Sequence, residues 1–170
     1  ALAAALETNT TLRTLTLSEN DIGPEGANTL ATAIEKGVAL RDIILSECSL
    51  GDEGAYVFAR ALKSDRARLL KLDLGGNSIT TDGAVALAQM LHENKTLEHF
   101  LMRNNPAVGD EGAFAFAEML KVNKTLYELV LRNNSITHLG RDRIYRAFDD
   151  NLRQYTMSGM HGPCCMIYDV

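Results

Sequence analysis

The chain has 170 residues, 46% of them hydrophobic and 23% charged, and a formal net charge of −5. That length supports one domain with a real core, and the acidic balance argues against nucleic acid as the main partner, because phosphate binding needs a basic face. No apolar run reaches the roughly 18 residues of a membrane-spanning helix, and Ala1–Leu6 lacks the length and basic lead of a secretion signal.

The cysteines are Cys48, Cys164 and Cys165. An odd count with two adjacent residues is no disulfide framework and suggests a reduced, cytoplasmic protein. His161, Cys164 and Cys165 have no second ligand pair at a zinc-like spacing, so neither a metal nor a cofactor is expected.

In chain order, Ala1–Thr11 reads as the back half of a repeat, with Leu2, Ala3, Ala5 and Leu6 falling where Leu30, Ala31, Ala33 and Ile34 fall in the next unit. The chain therefore starts inside a predicted helix, and the expectation is a fragment of a longer protein whose open N-terminal end could pair with another copy. Five copies of L-x-x-L-x-L-x-x-N follow, starting at Leu12, Leu40, Leu69, Leu97 and Leu126. Cys48 takes the Asn place in the second copy, and Phe100 and Met102 take two Leu places in the fourth. The spacing divides the chain into residues 1–11, five repeats at 12–39, 40–68, 69–96, 97–125 and 126–150, and a C-terminal cap or tail at 151–170. All belong to a single domain.

Each frame opens with a short strand, because its apolar and polar residues alternate: Leu15 and Leu17 face one way, Thr14, Thr16 and Ser18 the other. A glycine follows the Asn place at Gly26, Gly54, Gly83, Gly112 and Gly140. After it, apolar residues recur at helical spacing, as in Ala27, Leu30, Ala31 and Ile34. Pro24 suits a first helical turn. Glu25, Asp52, Glu53, Asp82, Asp110 and Glu111 put negative charge at the positive ends of the predicted helices. They lack the ligand alternation of a calcium loop.

No unit of this kind buries its apolar side alone, so neighbours must stack. The strand-end asparagines, pointing inward, must then be hydrogen-bonded. A ladder is expected along Asn20, Asn77, Asn105 and Asn134, with Cys48 a weak rung. N-x-T at Asn9, Asn94 and Asn123 recurs at one repeat place. It is read as structural, with Asn taking the left-handed conformation that ends a helix. Strands stack about 4.8 Å apart and helices about 8–10 Å apart, so the ribbon must bend with its strands inside.

The five frames, the Asn/Cys alternation at Asn20, Cys48 and Asn77, and openings such as Gly26-Ala27 and Gly54-Ala55 resemble the leucine-rich repeat family, in its ribonuclease-inhibitor-like class. The resemblance implies an α/β fold, a right-handed solenoid with a concave parallel sheet and convex helices. It also implies a protein-protein interaction scaffold, as in nucleotide-binding innate immune receptors. Ala113–Leu126, AFAFAEMLKVNKTL, is similar to the matching helix and return of tropomodulin-type caps, which implies actin pointed-end capping as an alternative. Regulation of a GTPase in the manner of Ran GTPase-activating proteins is another, with Arg103 or Arg132 as the finger.

No Ser/His/Asp or Cys/His arrangement is legible, and no phosphate-loop spacing follows Gly75-Gly76. A free-standing enzyme is not expected. The candidate site is the outward face of the strands. Its central row is Thr16, Ile44, Asp73, Leu101 and Val130, flanked by Thr14, Asp42, Lys71, His99 and Glu128, then by Ser18, Ser46, Gly75, Arg103 and Arg132. Glu19, Glu47, Gly76, Asn104 and Asn133 come next. Ile44, Leu101 and Val130 are apolar where solvent is expected. Charge changes sign from Glu19, Asp42, Glu47 and Asp73 to Arg103 and Arg132, which would orient a protein partner.

Overall fold

A computed structural model describes residues 2–157 and 166–168. Helices and strands alternate through it: α1 (Leu2–Thr8), β1 (Thr14–Thr16), α2 (Gly23–Glu35), β2 (Asp42–Ile44), α3 (Gly51–Ala61), β3 (Lys71–Asp73), α4 (Thr81–Glu93), β4 (His99–Leu101), α5 (Asp110–Val122), β5 (Glu128–Val130), α6 (His138–Met157) and β6 (Met166–Tyr168). The strands form one parallel sheet in sequence order. Parallel neighbours require a crossover, and the helix of each repeat supplies it.

Register is uniform. Leu15 pairs with Ile43, Ile43 with Leu72, Leu72 with Phe100, Phe100 with Leu129, and Leu129 with Ile167. The expected interior row is therefore a single aligned row. Ile43, Leu72, Phe100 and Leu129 are fully buried, while Leu15, at the sheet's edge, is partly exposed. A second buried row, Leu45, Leu74, Met102 and Leu131, runs beside it. Each such side chain contributes roughly 1.5–3 kcal/mol by leaving water. The helices close the core from the other side with Leu30, Phe58, Leu87 and Phe116. The Phe100 and Phe116 rings lie 6.0 Å apart.

Gly54, Gly83, Gly112 and Gly140 are buried where one helix start meets the previous one. Their conformation does not demand glycine; the space does. A Cβ at Gly83 would stand 2.8 Å from Ile79 Cγ2 and 3.1 Å from Ala55 Cβ, and one at Gly140 would stand 2.6 Å from Ile136 Cγ2 and 2.9 Å from Ala113 Cβ. The glycine and the alanine after it thus set how closely successive helices approach. The extra residue in Pro106–Val108 is absorbed without disturbing this packing. Ala107 bridges Thr80, and Val108 is buried beneath Gly112, where Ile79 lies beneath Gly83.

The asparagine ladder forms. Asn77 Oδ1 accepts from Cys48 N at 2.8 Å, and its Nδ2 donates to Leu45 O at 2.7 Å. Asn105 Oδ1 accepts from Asn77 N and Ile79 N, both at 3.0 Å, while its Nδ2 donates to Leu74 O, Met102 O and Arg103 O. Asn134 Oδ1 accepts from Asn105 N. Asn20, exposed at the edge, donates only within its own turn, to Leu17 O and Ser18 O. Cys48 donates through Sγ to Leu17 O at 3.2 Å, and burial pushes its thiol up, which keeps that proton in place.

The N-x-T positions form a second ladder, by a different means from the one expected. Asn94 and Asn123 are extended (φ −67° and −72°), not left-handed. Both are buried. Asn94 Oδ1 accepts from Thr96 N and Leu97 N, and Nδ2 crosses to Leu62 O of the previous repeat. Asn123 accepts from Thr125 N and Leu126 N and donates to Leu91 O and Asn94 O. The side chain is required here for its hydrogen bonds. Only Gly37, at the equivalent place of another repeat, is left-handed (φ 83°).

The acids at helix starts also join repeats. Asp52 accepts from Thr80 N and Thr80 Oγ1 at 2.8 and 2.7 Å, and Asp110 accepts from Thr137 N and Thr137 Oγ1, both at 2.7 Å. At the C-terminal side, α6 runs to Met157, past the expected repeat boundary at Asp150, and β6 extends the sheet. Met160, His161, Cys164 and Cys165 lie outside the described residues.

Three outcomes follow for stability. Gly83→Ala should cost about 1–3 kcal/mol by overpacking, read as a lower Tm, whereas Gly109→Ala, with only Thr81 Oγ1 at 3.8 Å, should cost far less. Asn105→Ala, which strands buried amides and carbonyls, should cost at least about 2 kcal/mol in urea unfolding, while the exposed Asn20→Ala should stay below about 1 kcal/mol. The hydrogen bond from Thr137 holds the Asp110 carboxyl below its ordinary value. Its contribution is thus present above the ordinary carboxylate range and lost as pH falls through the lowered folded value. Asp110→Asn should therefore flatten the Tm profile below about pH 4.

Candidate partner-binding face

The sheet has one face on the core and one free. Each three-residue strand carries two outward side chains and one inward, so the sequence frame places the outward rows correctly. The first row aligns Thr14, Asp42, Lys71, His99 and Glu128, and the second Thr16, Ile44, Asp73, Leu101 and Val130. The parallel register sets these neighbours about 4.8 Å apart.

Local hydrogen bonds engage part of the first row. Thr14 Oγ1 donates to Asp42 Oδ2 at 2.8 Å. His99 Nδ1 lies 3.0 Å from Glu128 Oε2, and the His99 ring stands edge-on to Tyr127, 5.8 Å between centroids. Tyr127 is exposed, and the strand frame alone did not mark it, since it precedes the first strand residue. Its aromatic character, beside a histidine one strand away, was the available signal. Lys71 has no ion-pair partner among the described residues.

The second row differs from its expected exposure at two places. Asp73 is only 4% exposed: Arg103 Nη1 caps Oδ2 at 3.0 Å, and Gly75 N donates to Oδ1 at 2.9 Å. Both of its oxygens are thus hydrogen-bonded, as burial of a polar group requires. Val130 is likewise 4% exposed and is not a surface apolar residue. It pairs with Leu101 on one side and Tyr168 of β6 on the other, and β6 was not foreseen as a strand. Ile44 and Leu101 remain half-exposed.

Beyond the strands, Glu19, Glu47, Gly76, Asn104 and Asn133 share a left-handed backbone, with φ between 57° and 66°. Gly76 takes it without strain, and asparagine tolerates it. Glutamate at Glu19 and Glu47 hid the pattern. The charge gradient survives at its ends. Glu19 and Glu47 are exposed, and Arg132 is exposed with no ion-pair partner among the described residues. In the middle Arg103 is held by Asp73 and by Ser46 Oγ at 3.4 Å. The face thus offers half-exposed aliphatics flanked by acids at one end and a free guanidinium at the other.

Among the described residues, no group of three His, Cys, Asp or Glu comes together to hold a metal ion, and no helix is long and apolar enough to cross a membrane.

No curated protein matches the chain. Among solved structures it is similar to leiomodin-1 actin-binding site 2, at 21% identity and a TM-score of 0.76, covering 92% of this chain and 91% of that one. It is similar also to a Caenorhabditis elegans tropomodulin C-terminal domain, at 15% identity and a TM-score of 0.67, covering 91% of this chain and 92% of that one. At these identities the likeness is one of fold. The profile of the family described as Leucine Rich repeat matches residues 8–31, 40–59, 68–88 and 93–117. With more than half of the chain matched, and each matched stretch overlapping one of the first four frames, this chain belongs to the leucine-rich repeat family.

Proposed function

We propose that the chain is a protein-binding module of the cytoplasm that docks its partner on the concave face of the sheet, and that the partner is actin. The observation that carries the actin reading is the end-to-end likeness to leiomodin-1 actin-binding site 2, which leaves less than a tenth of either chain unmatched. The Ala113–Leu126 stretch, similar to tropomodulin-type caps, points the same way. The mechanism is presentation. Side chains fixed at strand spacing on a sheet locked by two asparagine ladders lose little freedom when a partner binds.

In this reading Ile44 and Leu101 supply apolar contact, Arg132 supplies positive charge at one end, Glu19, Asp42 and Glu47 repel like charge at the other, and the Arg103–Asp73 pair lies between them. His99 and Glu128 border the apolar strip, and Val130 lies beside Leu101 in the same row.

Elongation of barbed-end-capped actin filaments tests the reading. The chain should slow pointed-end growth or bind monomeric actin. Absence of both effects rules actin out. Arg132→Glu should weaken binding about tenfold or more with an unchanged Tm. It is a cleaner variant than Arg103→Glu, which would also set a carboxylate against buried Asp73.

A further inference from the structure

The loops of the solenoid's two edges differ in charge. Where strands lead into helices, the exposed ionisable residues are chiefly acids: Glu19, Asp21, Glu25, Glu47, Glu53, Asp82 and Glu111. Where helices return to strands, cations gather: Arg13, Arg41, Arg66, Arg68 and Lys95. None of these five is within ion-pair distance of a carboxylate among the described residues. Two adjoining grooves on this edge share Arg41 and Arg68 as a common wall. One reaches back to Arg13, and the other forward to Lys95. Together they make one trough across four successive returns. Arg66 stands beside it, its Cβ close to the place a side chain would take at Gly37.

Two of the cations are fixed in position. Arg13 Nη1 donates to Thr10 O at 2.9 Å and to Ala39 O at 3.3 Å, and Arg41 Nη1 donates to Arg68 O at 2.9 Å. A guanidinium has five N–H donors, so each keeps others for a ligand. Arg68 and Lys95 are exposed and make no side-chain hydrogen bond among the described residues. Cations outnumber carboxylates along the trough and none of the four is in an ion pair among the described residues, so an acidic ligand relieves their mutual repulsion.

We propose that this return-edge trough is a second docking surface, distinct from the concave face, for an acidic polypeptide segment in extended conformation. Glu7, which pairs with Lys36, and Asp65 and Glu98 also border the trough. Three carboxylates among the cations, in a chain of net charge −5, disfavour a nucleic acid or an anionic lipid surface, whose charge is uniform and dense. An extended peptide can place its own acids opposite Arg13, Arg41, Arg68 and Lys95 and pass the three carboxylates with neutral residues. The trough's floor includes Ala39 and half-buried Leu70, which suit such neutral residues.

The test is fluorescence anisotropy of a labelled peptide of alternating glutamate and alanine, about twelve residues long, with the intact chain. Binding should weaken as salt rises and should fall about tenfold or more in Arg68→Glu/Lys95→Glu, with Tm unchanged because neither side chain holds the fold. Arg132→Glu on the concave face should leave it unaltered, which separates this proposal from the actin reading. No binding of the peptide overturns the proposal. So does equal loss in Arg132→Glu, or tighter binding of a single-stranded oligonucleotide or of phosphatidylserine vesicles than of the peptide.

Discussion

The fold depends on one hydrogen-bonding arrangement: a side-chain amide after β3, β4 and β5 serving the backbone of the repeat before it. After the strand the chain must turn inward to reach the helix, and this brings backbone N–H and C=O groups into the core, where an unpaired group is costly. Asn77, Asn105 and Asn134 satisfy them with both ends of one amide, reaching across to the preceding turn. Asn94 and Asn123 do the same at the return turns. The register of the leucines, the close approach at the glycines and the alignment of the outward rows all require these turns to stack.

The fold was legible because its cause is periodic. The same few residues recur every 28 or 29 positions, and each recurrence is an independent reading of one structure. What was not legible depended on neighbours in space. Asp73 and Val130 occupy outward frame positions, yet the first is covered by Arg103 one strand away and the second lies between β4 and a strand that no frame announces. The asparagines of N-x-T were correctly judged structural, but for the wrong reason. Residue type alone does not distinguish an asparagine chosen for backbone conformation from one chosen for its amide. The glycines were visible as a repeat feature, while the reason for them, a missing Cβ against an alanine in the previous helix, exists only once the helices are side by side.

The candidate face divides accordingly. Its outward strand rows follow from alternation and were readable, while Tyr127 beside them was not. Its usable chemistry follows from which side chains are already engaged. Asp42, Asp73, His99, Arg103 and Glu128 are tied to neighbours within the sheet, whereas Glu19, Glu47 and Arg132 are exposed, and Ile44 and Leu101 are half-exposed. A scaffold that holds its polar groups in this way presents fewer, stiffer contacts than the sequence suggests.

The rung at Cys48 has a consequence for how the molecule comes apart. Sulfur accepts hydrogen bonds weakly, so Cys48 stands in poorly for the amide oxygen that Asn77 and Asn105 hold out to the turn before them. Ile22 N donates instead to Asn20 O within its own turn. The seam between the first and second repeats thus lacks the amide rung that the inner seams have, and in a linear array each seam opens nearly independently of distant ones. Fraying is expected at that seam before it reaches the middle. The amides of α1 and β1 should then exchange with solvent sooner than those around Asn77 and Asn105, which lie inside the array.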